Sequence, residues 1–232
     1  MAEGKKEQVR SMFNKIAWRY DLLNHLLSLN IDKIWRRKLV KMLSQKHPDS
    51  ILDVATGTGD LAIAASRIKP KEIIGIDIAD EMLEFGRKKI TAKGLYKMIT
   101  LQTADSENIP YPSERFDATM VAFGVRNFEN LDLGLSEMHR VLKKNGTIYV
   151  LEFSIPTNKM FRPFYFFYFK NILPLIGKMV SKDTAAYTYL PDSVSAFPSG
   201  KSFTDRLEKA GFSNCTILSL TFGIATIYTG DK

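Results

Sequence analysis

Ile51-Leu52-Asp53-Val54-Ala55-Thr56-Gly57-Thr58-Gly59-Asp60 joins a short apolar run to a glycine-rich turn, and Leu61 to Ile68 carries it on as a helix. A strand, a tight turn and a helix in this order form the unit that holds nucleotide-like ligands. Gly57 and Gly59 can take positive φ and let a ligand approach the backbone. The amides that open the helix lack intrahelical acceptors and carry partial positive charge, so an anionic group suits that end.

Outward from this unit the chain alternates. Ser50–Ala55, Lys71–Ile78, Met98–Ala104, Phe116–Phe123 and Gly146–Phe153 read as strands, the fourth apolar almost throughout as a central parallel strand should be. Helices are expected over Leu61–Ile68 and Glu81–Lys93. Another is marked by Leu131, Leu135, Met138 and Leu142 and should end at Asn145-Gly146. Ser202–Ala210 reads as a helix with Ser202 as N-cap and Asp205 in the first turn. Cys215–Leu220 and Ile224–Thr229, joined by Thr221-Phe222-Gly223, read as an antiparallel hairpin. The βαβ rhythm predicts an α/β fold, a Rossmann-like doubly wound sheet of seven strands closed by that hairpin.

Two segments stand outside the rhythm. Residues 1–46 read as two or three helices, an N-terminal helical lid on a main domain spanning 47–232. Residues 155–200 form an aromatic helical insertion, with Phe161, Phe164, Tyr165, Phe166, Phe167, Tyr168 and Phe169 in one short run. The net charge of +8 concentrates in the same places: +7 in residues 1–46, +5 in residues 159–182 and −4 over the remainder. Nucleic acid or an anionic membrane surface could each attract such segments, and solvated helix faces are the plain alternative. Near-consecutive aromatics argue against a stacking platform for bases, which spaces them across a sheet. A single cysteine, Cys215, fits a reducing compartment, and the absence of a long uncharged apolar window predicts a cytoplasmic protein without a membrane span.

The glycine turn alone satisfies a dinucleotide fingerprint. Asp77 closes the second strand about 20 residues on, where a carboxylate can accept from a ribose cis-diol; a turn or cap role is the alternative. Asp105-Ser106 closes the third strand, where side chains reach a bound base. NAD and S-adenosylmethionine both meet these terms. Two features favour the latter: the sheet ends in a hairpin instead of a second mononucleotide-binding half, and Asp53 precedes the turn, where it can order the loop near a cationic amino group.

At this point the chain resembles a class I S-adenosylmethionine-dependent methyltransferase, and more closely the UbiE/COQ5 family of quinone C-methyltransferases, along nearly its whole length. The resemblance lies in Met12-Phe13-Asn14-Lys15-Ile16-Ala17-Trp18-Arg19-Tyr20-Asp21, in Leu52 to Asp60, in Phe123-Gly124-Val125-Arg126-Asn127 and in Val150-Leu151-Glu152-Phe153-Ser154. It implies that Thr58, Asp77, Asp105 and Ser106 line the S-adenosylmethionine site beside Asp53, Gly57 and Gly59. The family's serine before the Phe-Gly pair is Ala122 here, and its usual Leu-Lys-Pro-Gly-Gly is Leu142-Lys143-Lys144-Asn145-Gly146.

The implied acceptor is a prenylated hydroquinone, demethylmenaquinol or its benzoquinol analogue. Carbon is a weak nucleophile until the neighbouring phenol, with a pKa of about 10, is deprotonated or its anion stabilised. Arg126 follows the fourth strand and can hold a phenolate or a water, or else form a structural ion pair; Asn127 could orient the ring. His25, Tyr20 and Asp21 are the candidate bases from the lid. No metal is required, and the histidines are scattered. The aromatic insertion reads as a channel for the prenyl tail, with Lys159, Arg162, Lys170, Lys178 and Lys182 towards lipid head groups, making the membrane a peripheral partner.

Overall fold

The computed structural model describes residues 4–156, 160, 162–167, 171 and 185–232. Two N-terminal helices, α1 (Lys5–Leu27) and α2 (Ile31–Ser44), precede an alternating body. That body runs β1 (Ser50–Val54), α3 (Asp60–Ala65), β2 (Glu72–Asp77), α4 (Asp80–Ala92), β3 (Ile99–Thr103), β4 (Phe116–Ala122), α5 (Leu131–Val141) and β5 (Leu142–Phe153). Then come α6 (Arg162–Phe167), α7 (Ala185–Ala196), α8 (Lys201–Lys209), β6 (Ser213–Leu220) and β7 (Ala225–Asp231).

The seven strands form one sheet in the order β3-β2-β1-β4-β5-β7-β6. β1 to β5 are parallel, and β7 runs antiparallel between β5 and β6. The order reverses between β1 and β4, which opens a crevice outside their carboxyl ends. Each face is covered by helices, so β1 is buried at every position. Ile51, Ile73, Ala118 and Met120 pack with Trp35, Leu39 and Leu83 on one face. Leu52, Val54, Ile76 and Val121 pack with Leu135, Met138, Phe203 and Leu207 on the other.

Several boundaries differ from expectation. α5 ends at Val141, not at Asn145-Gly146. Leu142 already pairs with Phe116, and the ladder resumes at Thr147 opposite Ala118, so the intervening residues bulge out with Asn145 at φ 65°. α8 is preceded by Gly200 at φ 64° instead of being capped by Ser202, and Asp205 pairs with Lys201 at 2.7 Å. β1 stops one residue early because Ala55 turns to φ 51°. Of the aromatic insertion, Tyr165 is buried while Phe166 and Phe167 are exposed. Phe161, Tyr168 and Phe169, the Phe164 side chain, and Lys159, Lys170, Lys178 and Lys182 lie outside the described residues.

Candidate functional site

The turn after β1 is a hydrogen-bonded knot. The Thr56 amide donates to the Ile76 carbonyl at 2.9 Å and the Gly59 amide to the Thr56 carbonyl at 2.9 Å. Asp53, buried under the turn, accepts on Oδ2 from the Thr56 hydroxyl at 2.6 Å and the Ala62 amide at 3.1 Å. Gly57 sits at φ 56°, where a side chain would also press on Met82. Its amide donates to Asp77 Oδ2 at 2.8 Å, and Asp77 Oδ1 accepts from the Ala79 amide at 2.9 Å. Asp77 therefore orders the turn as well as facing the cleft. Burial pushes its carboxyl up, against the pull of the amides it accepts from. A Cβ on Gly124 would lie 2.5 Å from that of Ala55, so only glycine lets β4 end this close to the turn.

Two hollows open at the carboxyl ends of β1 and β4. The larger holds about 660 Å³ and is lined by Gly57, Asp77, Asp105, Ser106, Ala122 and Asn127, with Phe13 and Tyr20 from α1. The smaller, about 330 Å³, is lined by Arg36, Asp53, Thr56, Thr58 and Asp60. Tyr20, Ala55, Gly57 and Ala122 border both, so the two adjoin across the turn.

The smaller hollow carries a distinctive pair of atoms. Asp53 Oδ1 and Arg36 Nε are buried without any hydrogen-bond partner among the described residues. An unpaired buried acceptor and donor are costly, and their presence beside a hollow indicates a ligand with groups of both kinds. Burial pushes Asp53 up to about 7, only partly opposed by its bonds to Thr56 and Ala62. Arg36 is fixed by Asp32 through Nη1 and lies over the Phe123 ring at 5.3 Å. An amino-acid zwitterion matches this set: its ammonium suits Asp53 and its carboxylate Arg36. The larger hollow presents carboxylates at the two strand ends where a ribose and a base are expected. The residues present therefore fit S-adenosylmethionine at both ends.

α1 closes the larger hollow from outside. Phe13, Ala17 and Tyr20 pack on Ala79, Met82 and Phe85. Lys6 reaches Asp105 at 2.7 Å, Arg10 reaches Asp80 at 3.3 Å, and Asn14 accepts from the Glu81 amide at 3.1 Å. Burial raises the Tyr20 phenol, so it stays a hydrogen-bond donor and is a poor base.

Other expected site residues lie elsewhere. Asp21 accepts from Thr58 Oγ1 at 2.5 Å and pairs with Lys89 at 2.7 Å, on the outer side of the turn. Lys89 also holds Asp60 at 2.5 Å. His25 Nδ1 lies 2.9 Å from Asp32 and its ring borders a separate groove beside α2. Asp21, His25 and Arg126 line neither hollow; Lys89 pairs with Asp21, and Asp32 hydrogen-bonds His25. Gly59, at φ 77°, faces Ile90 and Leu101 and lines neither hollow, so its part is conformational.

Arg126 forms the buried ion pair that was one of its two expected roles. Nη1 meets Glu152 Oε1 at 2.7 Å and also bonds the Phe123 carbonyl, while Nε donates to Ser193 at 3.3 Å. Nη2 has no acceptor among the described residues. Burial pushes Glu152 up, against the attraction of Arg126 and the amides that Glu152 accepts from. Next to this pair, the Tyr189 hydroxyl donates to Asn127 Oδ1 at 2.9 Å, which brings α7 to the end of β4. Arg36, Lys6, Glu152 and Tyr189 carried no expected role. Glu152 had a signal, since an acid inside the apolar run Ile148–Phe153 needs a buried partner.

Comparison with known proteins agrees with this geometry. A solved structure described as a putative S-adenosylmethionine-dependent methyltransferase from Methanococcus maripaludis matches with a TM-score of 0.67, covering 100% of this chain and 97% of its own, at 22% identity. That likeness is one of fold. A demethylmenaquinone methyltransferase of Bacteroides fragilis is 46% identical over 99% of this chain and 95% of its own. A ubiquinone/menaquinone biosynthesis C-methyltransferase of Citrifermentans bemidjiense is 48% identical over 98% and 97%. The model of the ubiE/COQ5 methyltransferase family matches residues 1–232, and the chain belongs to that family.

Proposed function

We infer that this protein is an S-adenosylmethionine-dependent C-methyltransferase that converts demethylmenaquinol to menaquinol, the methylation step of menaquinone biosynthesis. The observation that carries the reading is the adjoining pair of hollows, one with strand-end carboxylates and one with the orphaned Asp53 and Arg36, in a chain that matches the family from end to end.

Asp77, Asp105 and Ser106 hold the nucleoside end of the donor, and Asp53 and Arg36 its amino-acid end, with Thr58 fixing the wall between Asp21 and Lys89. When bound, S-adenosylmethionine supplies an electrophilic methyl group. α1 acts as a lid over the larger hollow, held by Lys6 and Arg10, and excludes water from it. The quinol ring is placed at the Arg126–Asn127 corner. There the Arg126 guanidinium stabilises the naphtholate oxygen, whose proton leaves to solvent before the lid closes. The neighbouring ring carbon takes the methyl group, S-adenosylhomocysteine leaves, and the ring proton of that carbon returns to the oxygen to restore the hydroquinol. Asn127, braced by Tyr189, orients the ring. Glu152 holds the guanidinium in place. Asp21 and His25 line neither hollow and have no part in this step.

The acceptor is a prenylated quinol dissolved in the bilayer, so the enzyme works in the cytoplasm at the inner membrane face, as a peripheral protein. No helix among the described residues is long and apolar enough to cross a membrane. Exposed Phe166 and Phe167, with Arg162 over the Phe166 ring at 5.6 Å, suit a tail passage in the insertion.

The test is methyl transfer from labelled S-adenosylmethionine to a short-chain demethylmenaquinol, read by mass of the product. Transfer to the naphthoquinol is expected. The relative with a dual ubiquinone and menaquinone name makes the benzoquinol the second acceptor to try. Transfer to the benzoquinol alone would replace the substrate, and transfer to neither would overturn the reading.

A further inference from the structure

The outer side of the α1–α2 pair exposes large apolar side chains. Trp18 is 62% exposed, Leu22 59%, Leu29 72% and Ile34 60%. Trp18 and Leu22 stand one turn apart on α1; Leu29 and Ile34 follow at the elbow and the first turn of α2. The elbow is also strained: Leu29 and Asn30 take φ 51° and 61° in succession. Glycine would suit Leu29's backbone, and a polar residue its exposure, so fold stability does not explain a leucine there.

The same two helices carry exposed cations. Lys15, Arg37, Lys38 and Lys41 are exposed, and no acidic partner is seen for them among the described residues. The described acids of the two helices are all engaged: Glu7 with Arg10, Asp21 with Lys89, Asp32 with Arg36. Beside α2 a groove of about 1010 Å³ is lined by Lys33, Arg37, Lys41 and Arg67, with Asp60 as its one acid among the described residues. Exposed apolar residues and unpaired cations on the same two helices match the interface of an anionic bilayer. Nucleic acid would leave Leu22, Leu29 and Ile34 in water, and a second copy would set cations against cations.

We propose that the α1–α2 elbow is the surface by which this protein docks on an anionic phospholipid bilayer. Trp18, Leu22, Leu29 and Ile34 enter the interfacial region, and Lys15, Arg37, Lys38 and Lys41 face the head groups. The purpose of docking rests on the quinol reading above. The same α1 that meets the bilayer closes the cleft with Phe13 and Tyr20, so docking brings the site to the membrane surface.

The experiment uses the full-length protein and vesicles of phosphatidylcholine with and without phosphatidylglycerol, some carrying brominated acyl chains. Binding should need phosphatidylglycerol and weaken with salt. Bromolipid should quench Trp18, with the Trp18→Phe variant losing that quenching; Trp35 is buried and serves as the internal control. Leu29→Asn relieves the left-handed strain, so it should fold at least as well while binding vesicles about tenfold more weakly. Lys38→Gln and Lys41→Gln should each weaken binding about fivefold. All three should keep wild-type turnover on a short-chain quinol in solution. Binding without Trp18 quenching would move the contact to another surface and overturn the inference, leaving the quinol reading intact. Failure to bind either vesicle, or a dimer dissolved by Leu29→Asn, would also overturn it. Quenching in a protein that methylates no quinol would sustain docking and sink the substrate instead.

Discussion

Replacing Asp53 by Asn tests the claim that the smaller hollow is built for a cationic group. Asp53 is buried, with one oxygen bonded and the other orphaned, and its pKa is raised from 3.8 to about 7. The sign follows from linkage: a carboxyl raised on folding is protonated more readily in the folded state, so ionising it costs stability. The cost is absent well below the unfolded value of about 4, grows as pH rises towards 7, and is constant above that. Three units at about 1.4 kcal/mol each set an upper figure of about 4 kcal/mol at alkaline pH, of which about 2.5 kcal/mol develops between about pH 5 and about pH 8. Asn keeps an acceptor for Thr56 and Ala62 but does not ionise; its own orphaned amide costs a pH-independent 1–3 kcal/mol or about that. The stability of Asp53→Asn relative to wild type should therefore rise by about 2.5 kcal/mol between those pH values, whatever its offset. Urea unfolding of the ligand-free protein at both pH values measures this. A difference that does not change with pH would refute the argument. In the same variant S-adenosylhomocysteine, which has the same amino-acid end, should bind at least tenfold more weakly, because a neutral amide replaces the ammonium's partner.

Three further variants divide the roles. Asp77→Ala removes the acceptor for the Gly57 and Ala79 amides and should weaken S-adenosylhomocysteine binding at least tenfold by calorimetry. Arg36→Met should weaken S-adenosylhomocysteine by about tenfold to a hundredfold yet leave 5′-methylthioadenosine, which lacks the amino-acid end, unchanged; equal losses for both ligands would refute the assignment. Arg126→Ala should spare cofactor binding, abolish most turnover and destabilise by about 3–5 kcal/mol by leaving Glu152 uncompensated; Arg126→Ala with Glu152→Gln should recover stability without recovering turnover. Cofactor binding lost equally in Arg126→Ala and Asp77→Ala would sink this division.

The frame of the sheet was readable because its determinants are local. Apolar runs, the glycine turn and Thr221-Phe222-Gly223 each specify a short piece, and handedness and strand adjacency supply the order. The misread boundaries share one cause: they are decided across the sheet. Leu142 leaves the helix because Phe116 offers a ladder position, which nothing in residues 131–146 announces. In the same way Ser202 has cap chemistry, but Gly200 already turns the chain two residues earlier with its amide on the Tyr228 hydroxyl at 2.8 Å.

The site divides along the same line. The strand-end residues of the larger hollow follow from strands at fixed spacing, so the sequence brings Asp77, Asp105 and Ser106 together. Whether a charged side chain is free to act depends instead on distant partners. Asp21 looks like a base until Lys89, on the far helix α4, is seen to hold it; His25 is taken by Asp32 across the elbow. Arg126 is the instructive case, because its two expected roles are not exclusive. Glu152, Phe123 and Ser193 occupy Nη1 and Nε and so fix the plane of the guanidinium. A guanidinium aimed by a buried carboxylate meets a developing oxyanion without first reorganising, and that is where its electrostatic advantage over a surface arginine lies. In the proposed mechanism the ion pair is the means of positioning, and a lysine at 126, with one compact ammonium and no fork, could pair with Glu152 or face the ring but not both.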